Sequence, residues 1–211
     1  GESVDAIYDF GVEQMELAKA LDGEIIAART AQTLCCRMRV DAAPFNDERV
    51  RKAVTMAIDN AAIKPLVYPE GGDVGENYHV APVHPDYEAL PPLTRDVEGA
   101  KALLAEAGLP DGFELTIHAP NNRYLNDAKI AEAIAQMLTR AGIKTQVETM
   151  PSSVYFTRAS TGADGLPEFS LILVGWGAGS GEASSPLRAL IATADKDKGM
   201  GSANRGRYSN P

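Results

Sequence analysis

The 211-residue chain has only two cysteines, three histidines and one tryptophan. Cys35 and Cys36 are adjacent, which excludes an ordinary long-loop disulfide, and they have no metal-ligand company. Two readings remain for them, thiols on a half-buried strand or a vicinal redox pair. His79, His84 and His118 show neither His-x-x-x-His nor His-Glu-x-x-His spacing, so no metal site and no cofactor is expected, and each histidine is expected to be satisfied or solvated. Gly179-Ser180-Gly181 is too tight for a nucleophile elbow. Positive charge is scarce as well: 20 Lys and Arg stand against 29 Asp and Glu, a formal net charge of −9. That balance argues against nucleic acid or an anionic membrane as partner, because both need clustered cations. Arg205 and Arg207 are the one small basic cluster. No run approaches the roughly 18 apolar residues of a membrane span, so no membrane insertion is expected. The chain opens at Gly1 without a signal-like segment, the look of a processed or excised start.

Apolar residues, by contrast, are plentiful at 45%, enough for a substantial core in one large domain or one lobe of something larger. The segment 169–188 is the most telling. An apolar strand-like run empties into a turn that carries Gly175, Gly177, Gly179 and Gly181 around Trp176. Glycines there let the backbone take positive φ and let a ligand or another segment come close. A dinucleotide fingerprint fails on spacing, since Ser180 and Glu182 stand where glycine or alanine is required. No Gly-Lys-Ser/Thr follows, which removes a P-loop, and Glu182 brings the wrong sign to a phosphate site. Two readings stay open: a turn that approaches a ligand, or a tight strand-to-helix corner with a packed tryptophan.

The chain alternates helix and strand patterns, which predicts an α/β fold with helices layered on a mixed sheet. Val12 to Leu21 reads as a helix with an apolar stripe, and Glu24 to Ala28 and Thr33 to Val40 as strands. Pro44-Phe45-Asn46-Asp47 opens a helix capped by Asn46 or Asp47, with Val50, Val54, Ala57 and Ile58 on one face, and a short helix follows through Val67. The Pro- and Gly-rich stretch from Tyr68 to Pro92 is too long for an ordinary connection and reads as a structured covering loop. Asp96 caps a helix that Gly108 stops, and Phe113 to His118 alternates as a strand. A polar loop from Ala119 leads to Asn126-Asp127, caps for a helix over 128–141 with Ile130, Ile134, Met137 and Leu138 inward. Strand Ile143 to Thr149, a helix after Pro151 and strand Phe169 to Val174 complete the pattern. Strand, helix, strand in this order is a βαβ unit, so part of the sheet is expected to be parallel.

PFNDERVRKAVTMAIDNAAI (44–63), DVEGAKALLAEAGLPDGFELTIHAPN (96–121), AEAIAQMLTRAGIKTQVETM (131–150), LVGWGAGSG and RYSNP, in this order and spacing, closely resemble the extracellular solute-binding proteins of family 5. The resemblance implies one lobe of a two-lobed periplasmic binding protein type II fold. It also implies capture, without chemistry, of a peptide-like or other small polar solute for an ABC importer permease, in the periplasm or outside the membrane. Complete members are more than twice as long. Residues 33–211 therefore look like the second lobe, broken at its C-terminal end, and 1–32 like linker or the tail of a missing first lobe.

For the site, the resemblance singles out Trp176 and Gly177 of the Gly-Trp-Gly triplet, with a cleft-facing and a hinge-packing role both open for the indole. Many peptide-binding members carry an aspartate where Gly179 stands, and Glu182 is a candidate replacement. Further candidates come from the residues themselves. Asn122, Arg123 and Tyr124 follow a strand end, Arg188 has a guanidinium suited to a carboxylate, and Asn204 and Arg205 precede RYSNP. Trp176, Tyr124 and Tyr155 on an orphaned cleft face predict pairing into a homodimer. The competing reading is a stand-alone α/β enzyme or nucleotide-binding domain.

Overall fold

The structure is a computed structural model. It describes residues 12–21, 24–26, 30–67, 71–91, 94–162, 164–177 and 181–210. Twelve elements run in order: α1 (Val12–Ala20), β1 (Thr33–Met38), α2 (Glu48–Ala57), α3 (Asn60–Val67), α4 (Val97–Glu106), β2 (Glu114–Pro120), α5 (Asp127–Arg140), β3 (Lys144–Met150), α6 (Ser152–Thr161), β4 (Leu171–Trp176), α7 (Ser184–Pro186) and a π-helical turn, Leu187–Ile191.

The caps explain where the helices begin and end. Asp47 accepts from Arg49 N at 2.8 Å and starts α2, and Asp96 accepts from Gly99 N at 2.8 Å and starts α4. Gly108 and Gly142 follow α4 and α5 with φ of +83° and +94°, a turn that a side chain would strain. The cap of α5 differs from the sequence expectation. Asn126 adopts φ +54° and sends its side-chain amide to the carbonyl of Leu66, while Asp127 folds back to accept from the backbone N–H of Arg123 and Tyr124. The acid thus fixes the preceding loop.

The four strands form one mixed sheet in the order β1-β4-β2-β3. β2 pairs in parallel with β3 from Glu114↔Lys144 to Pro120↔Met150, and β1 runs antiparallel to β4 from Thr33↔Trp176 to Met38↔Leu171. Alternation along each strand loads both faces. Leu115, Ile117 and Ala119 of β2 and Leu171 and Leu173 of β4 pack against α2, α3, α4 and α5 around Phe45, Val54, Ile130, Ile134 and Leu138. Ile172 and Val174, with Cys35 of β1, face the other way against Tyr155 and Ala159 of α6 and against Phe169. Adjacent Cys35 and Cys36 consequently lie on opposite faces, both as free thiols.

Two expectations fail at the periphery. Residues 24–26 are not in a strand, and 27 and 28 lie outside the described residues. The apolar stripe of α1 does not turn inward, since Leu17 and Leu21 are exposed. The stretch 71–91 has no helix or strand, as expected of a loop, and it carries two buried histidines, His79 against Cys35 and Arg37 of β1 and His84 against Ala81 of its own loop. Among the described residues, no helix is long and apolar enough to cross a membrane.

Candidate functional site

The connections of the sheet point to one end of it. From β2 the chain leaves to α5 on one face, while from β4 it leaves to the segment whose Leu190 carbonyl receives Arg37, a residue of the other face. β2 and β4 are neighbours, so their carboxyl ends form a topological switch point, the place where an open α/β sheet leaves a crevice for ligands. Their pairing is also short. Only Ile117↔Leu171 and His118↔Ile172 are matched, and beyond them side chains replace the ladder. The Tyr155 hydroxyl lies 2.7 Å from the Leu173 carbonyl and 3.1 Å from that of His118, so its one proton is shared between the two strands. Nearer the crevice, Tyr124 donates to the Gly175 carbonyl at 3.4 Å. Gly175 is required for this, since a Cβ there would stand 2.7 Å from Tyr124 Cε1. Burial pushes the Tyr124 phenol up, so it stays a neutral donor.

Trp176 ends β4 opposite Thr33, half-buried, and its indole N–H is enclosed with no acceptor among the described residues. Gly177 follows, with the Gln32 backbone 3.8 Å from where its Cβ would lie. Gly179 lies outside the described residues. Glu182 accepts from Ser184 Oγ at 3.3 Å at the start of α7.

The remaining candidates divide by what already holds them. Asn122 Oδ1 accepts from Ser152 N at 2.9 Å, which caps α6. Arg123 is exposed, with its guanidinium 5.4 Å from the Tyr124 ring centre. Arg188 donates to the Lys198 carbonyl at 3.1 Å in the 195–200 turn. Asn204 is buried and fully engaged with its own segment, donating to the carbonyls of Ala192 and Tyr208 and accepting from Tyr208 N. Arg205 donates from Nε to Ser160 Oγ at 2.8 Å and lies 5.3 Å from the Phe156 ring. The structure thus brings Tyr124 and Trp176 to the switch point through β4, and commits Asn122, Arg188 and Asn204 to holding backbone. Tyr155 is a correction: it is fully buried, so it adds nothing to an exposed face for self-association.

The sequence reading passed over a polar cluster on the α6 face. Arg37 donates from Nη1 to the Leu190 carbonyl at 3.1 Å, and its Nη2 lies 2.6 Å from His79 Nε2, with Cys35 Sγ 3.6 Å from the same nitrogen. His79 Nε2 accepts from the guanidinium, which leaves the ring proton on Nδ1, buried without a partner. Desolvation, then the Arg37 charge, lowers His79 to about 4. Burial pushes both thiols up. The signal for this cluster was a charged residue at an inward position of an otherwise apolar strand, TLCCRM. His118, stacked on Phe169 at 3.9 Å with Nε2 3.4 Å from Glu148, belongs to the same face. Among the described residues, no group of three or more His, Cys, Asp and Glu is placed to hold a metal ion.

A mixed sheet with helices on both faces and a switch point between β2 and β4 is the architecture of one lobe of the periplasmic binding protein type II fold, and a solved neighbour has the same fold. The peptide-binding protein DppA of Helicobacter pylori, solved with the peptide STSA, superposes with a TM-score of 0.76 over 95% of this chain and 38% of its own, at 23% identity, which shows the fold. The chain belongs to the bacterial extracellular solute-binding proteins, family 5: residues 2–198 match the description "family 5 Middle". The heme-binding protein A of Haemophilus influenzae is 30% identical over 174 residues, 80% of this chain and 30% of that protein. The dipeptide-binding protein of Escherichia coli is 31% identical over 160 residues, 74% of this chain and 29% of that protein. The chain spans about a third of the length of the curated relatives it matches.

Proposed function

We propose that this chain is the second ligand-binding lobe of an ABC-importer receptor that captures a peptide-like or other small polar solute between two lobes. The observation that carries the reading is the β2/β4 switch point, where Tyr124 meets Gly175 and Trp176 follows with its indole N–H unmet among the described residues, in a chain that covers about a third of its relatives. An enclosed indole N–H without an acceptor favours the arrival of a carbonyl or carboxylate, because leaving it unmet costs about 1–3 kcal/mol. Gly177, Gly179 and Glu182 continue from Trp176 and, with Arg123 and Arg205, are the further contacts we assign to the solute. Asn122, Arg188 and Asn204 shape the lobe around it.

Capture needs no chemistry in this reading. Closure is driven by the difference in a ligand's contacts between open and closed states, and one lobe supplies half of them. The one cysteine–histidine contact, Cys35 with His79, is set against nucleophilic catalysis: burial raises the thiol and lowers the imidazole to about 4, the reverse of a thiolate–imidazolium pair. The receptor would work outside the cytoplasmic membrane and meet it through the importer permease.

Calorimetric titration of this chain, and of a chain extended to the length of its relatives, tests the proposal with di- to hexapeptides, opine-like conjugates, nickel chelates and short oligosaccharides. Tight binding by the extended chain alone is expected. Turnover, or binding of equal strength by the 211-residue chain, would sink it.

A further inference from the structure

Arg37 and Arg205 are two half-buried guanidiniums in an acidic chain, and neither has a carboxylate partner among the described residues. Among the other half-buried arginines, Arg39 meets Asp41 and Arg158 meets Glu148 and Glu168, while Arg51 donates to the carbonyls of Phe45 and Asn46. What distinguishes Arg205 is that its terminal amino groups have no acceptor at all among the described residues, since Nε alone is used.

The backbone brings their two segments together. Val40 N donates to the Gly206 carbonyl at 2.8 Å, which lays the 205–207 segment along the end of β1. A Cβ on Gly206 would stand 3.2 Å from Arg37 Cγ and 2.8 Å from the Met38 carbonyl, so glycine is needed for the Arg37 stem to pass. Arg205, one residue earlier, reaches α6, where only Nε is used, toward Ser160 Oγ. Its two terminal amino groups have no protein acceptor among the described residues and are not sealed from solvent. Arg37 is held by Leu190 and His79, and its Nε–H is enclosed without a partner. Burial lowers the Arg205 pKa, Tyr124 and Tyr155 oppose it, and the Arg37 charge adds a smaller lowering.

We propose that Arg205 and Arg37 form an oxyanion site on the α6 face of the sheet, in which Arg205 offers its free fork to a carboxylate or similar group and Arg37 supplies the second charge. Planar guanidinium and two-oxygen anion match in bidentate fashion, and a half-buried setting strengthens the pairing. The inference deepens the solute-capture reading, on which it rests only for where the anion comes from: the solute class it names is one with an anionic group.

The test uses the 211-residue chain with sodium sulfate and sodium acetate as probes, ionic strength held constant with sodium chloride. The readouts are the arginine Nε–Hε resonances and the thermal midpoint. A saturable shift of the Arg205 signal and a rise in midpoint are expected. Arg205→Gln should weaken the apparent affinity about tenfold or more, as loss of a charge-assisted pair requires. Arg205→Lys should recover part of it, keeping charge without the fork. Arg140→Gln, on an exposed position at the end of α5, should change nothing. A response that never saturates, or one that is the same in Arg205→Gln, overturns the site, and the decision does not depend on Arg37 variants folding. The source of the anion is read separately in the extended chain. If Arg205→Gln weakens solute binding there, the anion is the solute's own. If solute affinity is unchanged while the sulfate response persists, the solute-class assignment is overturned and the solute-capture reading stands. If the extended chain binds no solute, that reading fails while the oxyanion site remains.

Discussion

The two faces of the sheet are built to different rules. On the α2–α5 face twenty buried apolar residues form one continuous cluster, whereas the α6 face has six, interleaved with Arg37, His79, His118, Arg205 and the Tyr155 hydroxyl. Of the enclosed polar atoms without partners among the described residues, those of Arg37, His118 and Trp176 lie on the poorer face together with that of His79, and those of Glu76, Tyr78 and His84 lie in the 71–91 stretch. Apolar contacts are non-directional and sum to stability, while buried polar groups are costly unless met and so remain where something is to be met. Stability falls to one side of the sheet and, under the proposed function, the meeting of an anionic group to the other.

That comparison is broken most directly on the apolar face. Leu138 is fully buried in α5 among Ile130, Ile134 and the strands, so Leu138→Ala is expected to cost about 3–5 kcal/mol in denaturant unfolding. A loss below about 1 kcal/mol would mean that this face is not the stabilising one. The α6 face should show itself instead through pH. His79 is neutral in the folded chain, with its pKa lowered to about 4 against an ordinary value of 6.5, and Arg37 and Cys35 of β1 face it. Between those values the unfolded chain binds the extra proton, so stability rises with pH. The contribution is complete above about 6.5 and is lost as pH falls toward about 4, up to about 3 kcal/mol. His79→Gln keeps an acceptor for Arg37 and removes the titration, so its unfolding free energy should vary less over this range. Some slope persists through His118, which burial also lowers while Glu148 opposes. Equal slopes in both proteins would refute the assignment.

How far the sequence could be read follows the same division. Helices with caps and 3.6-residue stripes, such as α2 with Asp47, Val50, Val54 and Ala57, were legible because local hydrogen bonds and one apolar face decide them. So was the parallel pair β2/β3, from its intervening helix. The stripe of α1 misled, because a stripe records that a face wants cover and not that cover is there. In the candidate site, Trp176 and Tyr124 were singled out from a glycine turn and a strand end. The roles of Asn122, Arg188 and Asn204 were not, since each is set by a carbonyl or N–H distant in sequence: Ser152, Lys198, and Ala192 with Tyr208. Arg37 and His79 meet across 42 positions through a loop whose composition carries no register.

Smaller perturbations sharpen the picture at the switch point. Tyr155→Phe removes the hydroxyl shared by the Leu173 and His118 carbonyls where the β2/β4 ladder stops, at an expected cost of about 1–3 kcal/mol for the acceptors left behind. The ring remains, so packing against Phe169 at 5.9 Å is kept and the change isolates the bridge. Amide exchange should quicken in β4 and not in β3, which is paired with β2 along seven residues. Exchange that quickens equally in both would mean that the sheet opens as one unit.

Asn122→Ala has the smallest expected effect and separates a cap from a ligand contact. Its Oδ1 accepts from Ser152 N at the first turn of α6, and removal of such a cap costs about 1 kcal/mol. Asp and Ser at 122 carry an oxygen that can accept the same bond, so both should restore the stability that alanine loses. A cap asks only for an acceptor, whereas a solute contact through the amide asks for its N–H donors too. If solute affinity in the extended chain follows stability across Asn, Ser, Asp and Ala, Asn122 acts by fixing the loop that carries Tyr124. If Asp restores stability but not affinity, the amide itself touches the solute, and recognition extends across the crevice from β4 to the end of β2.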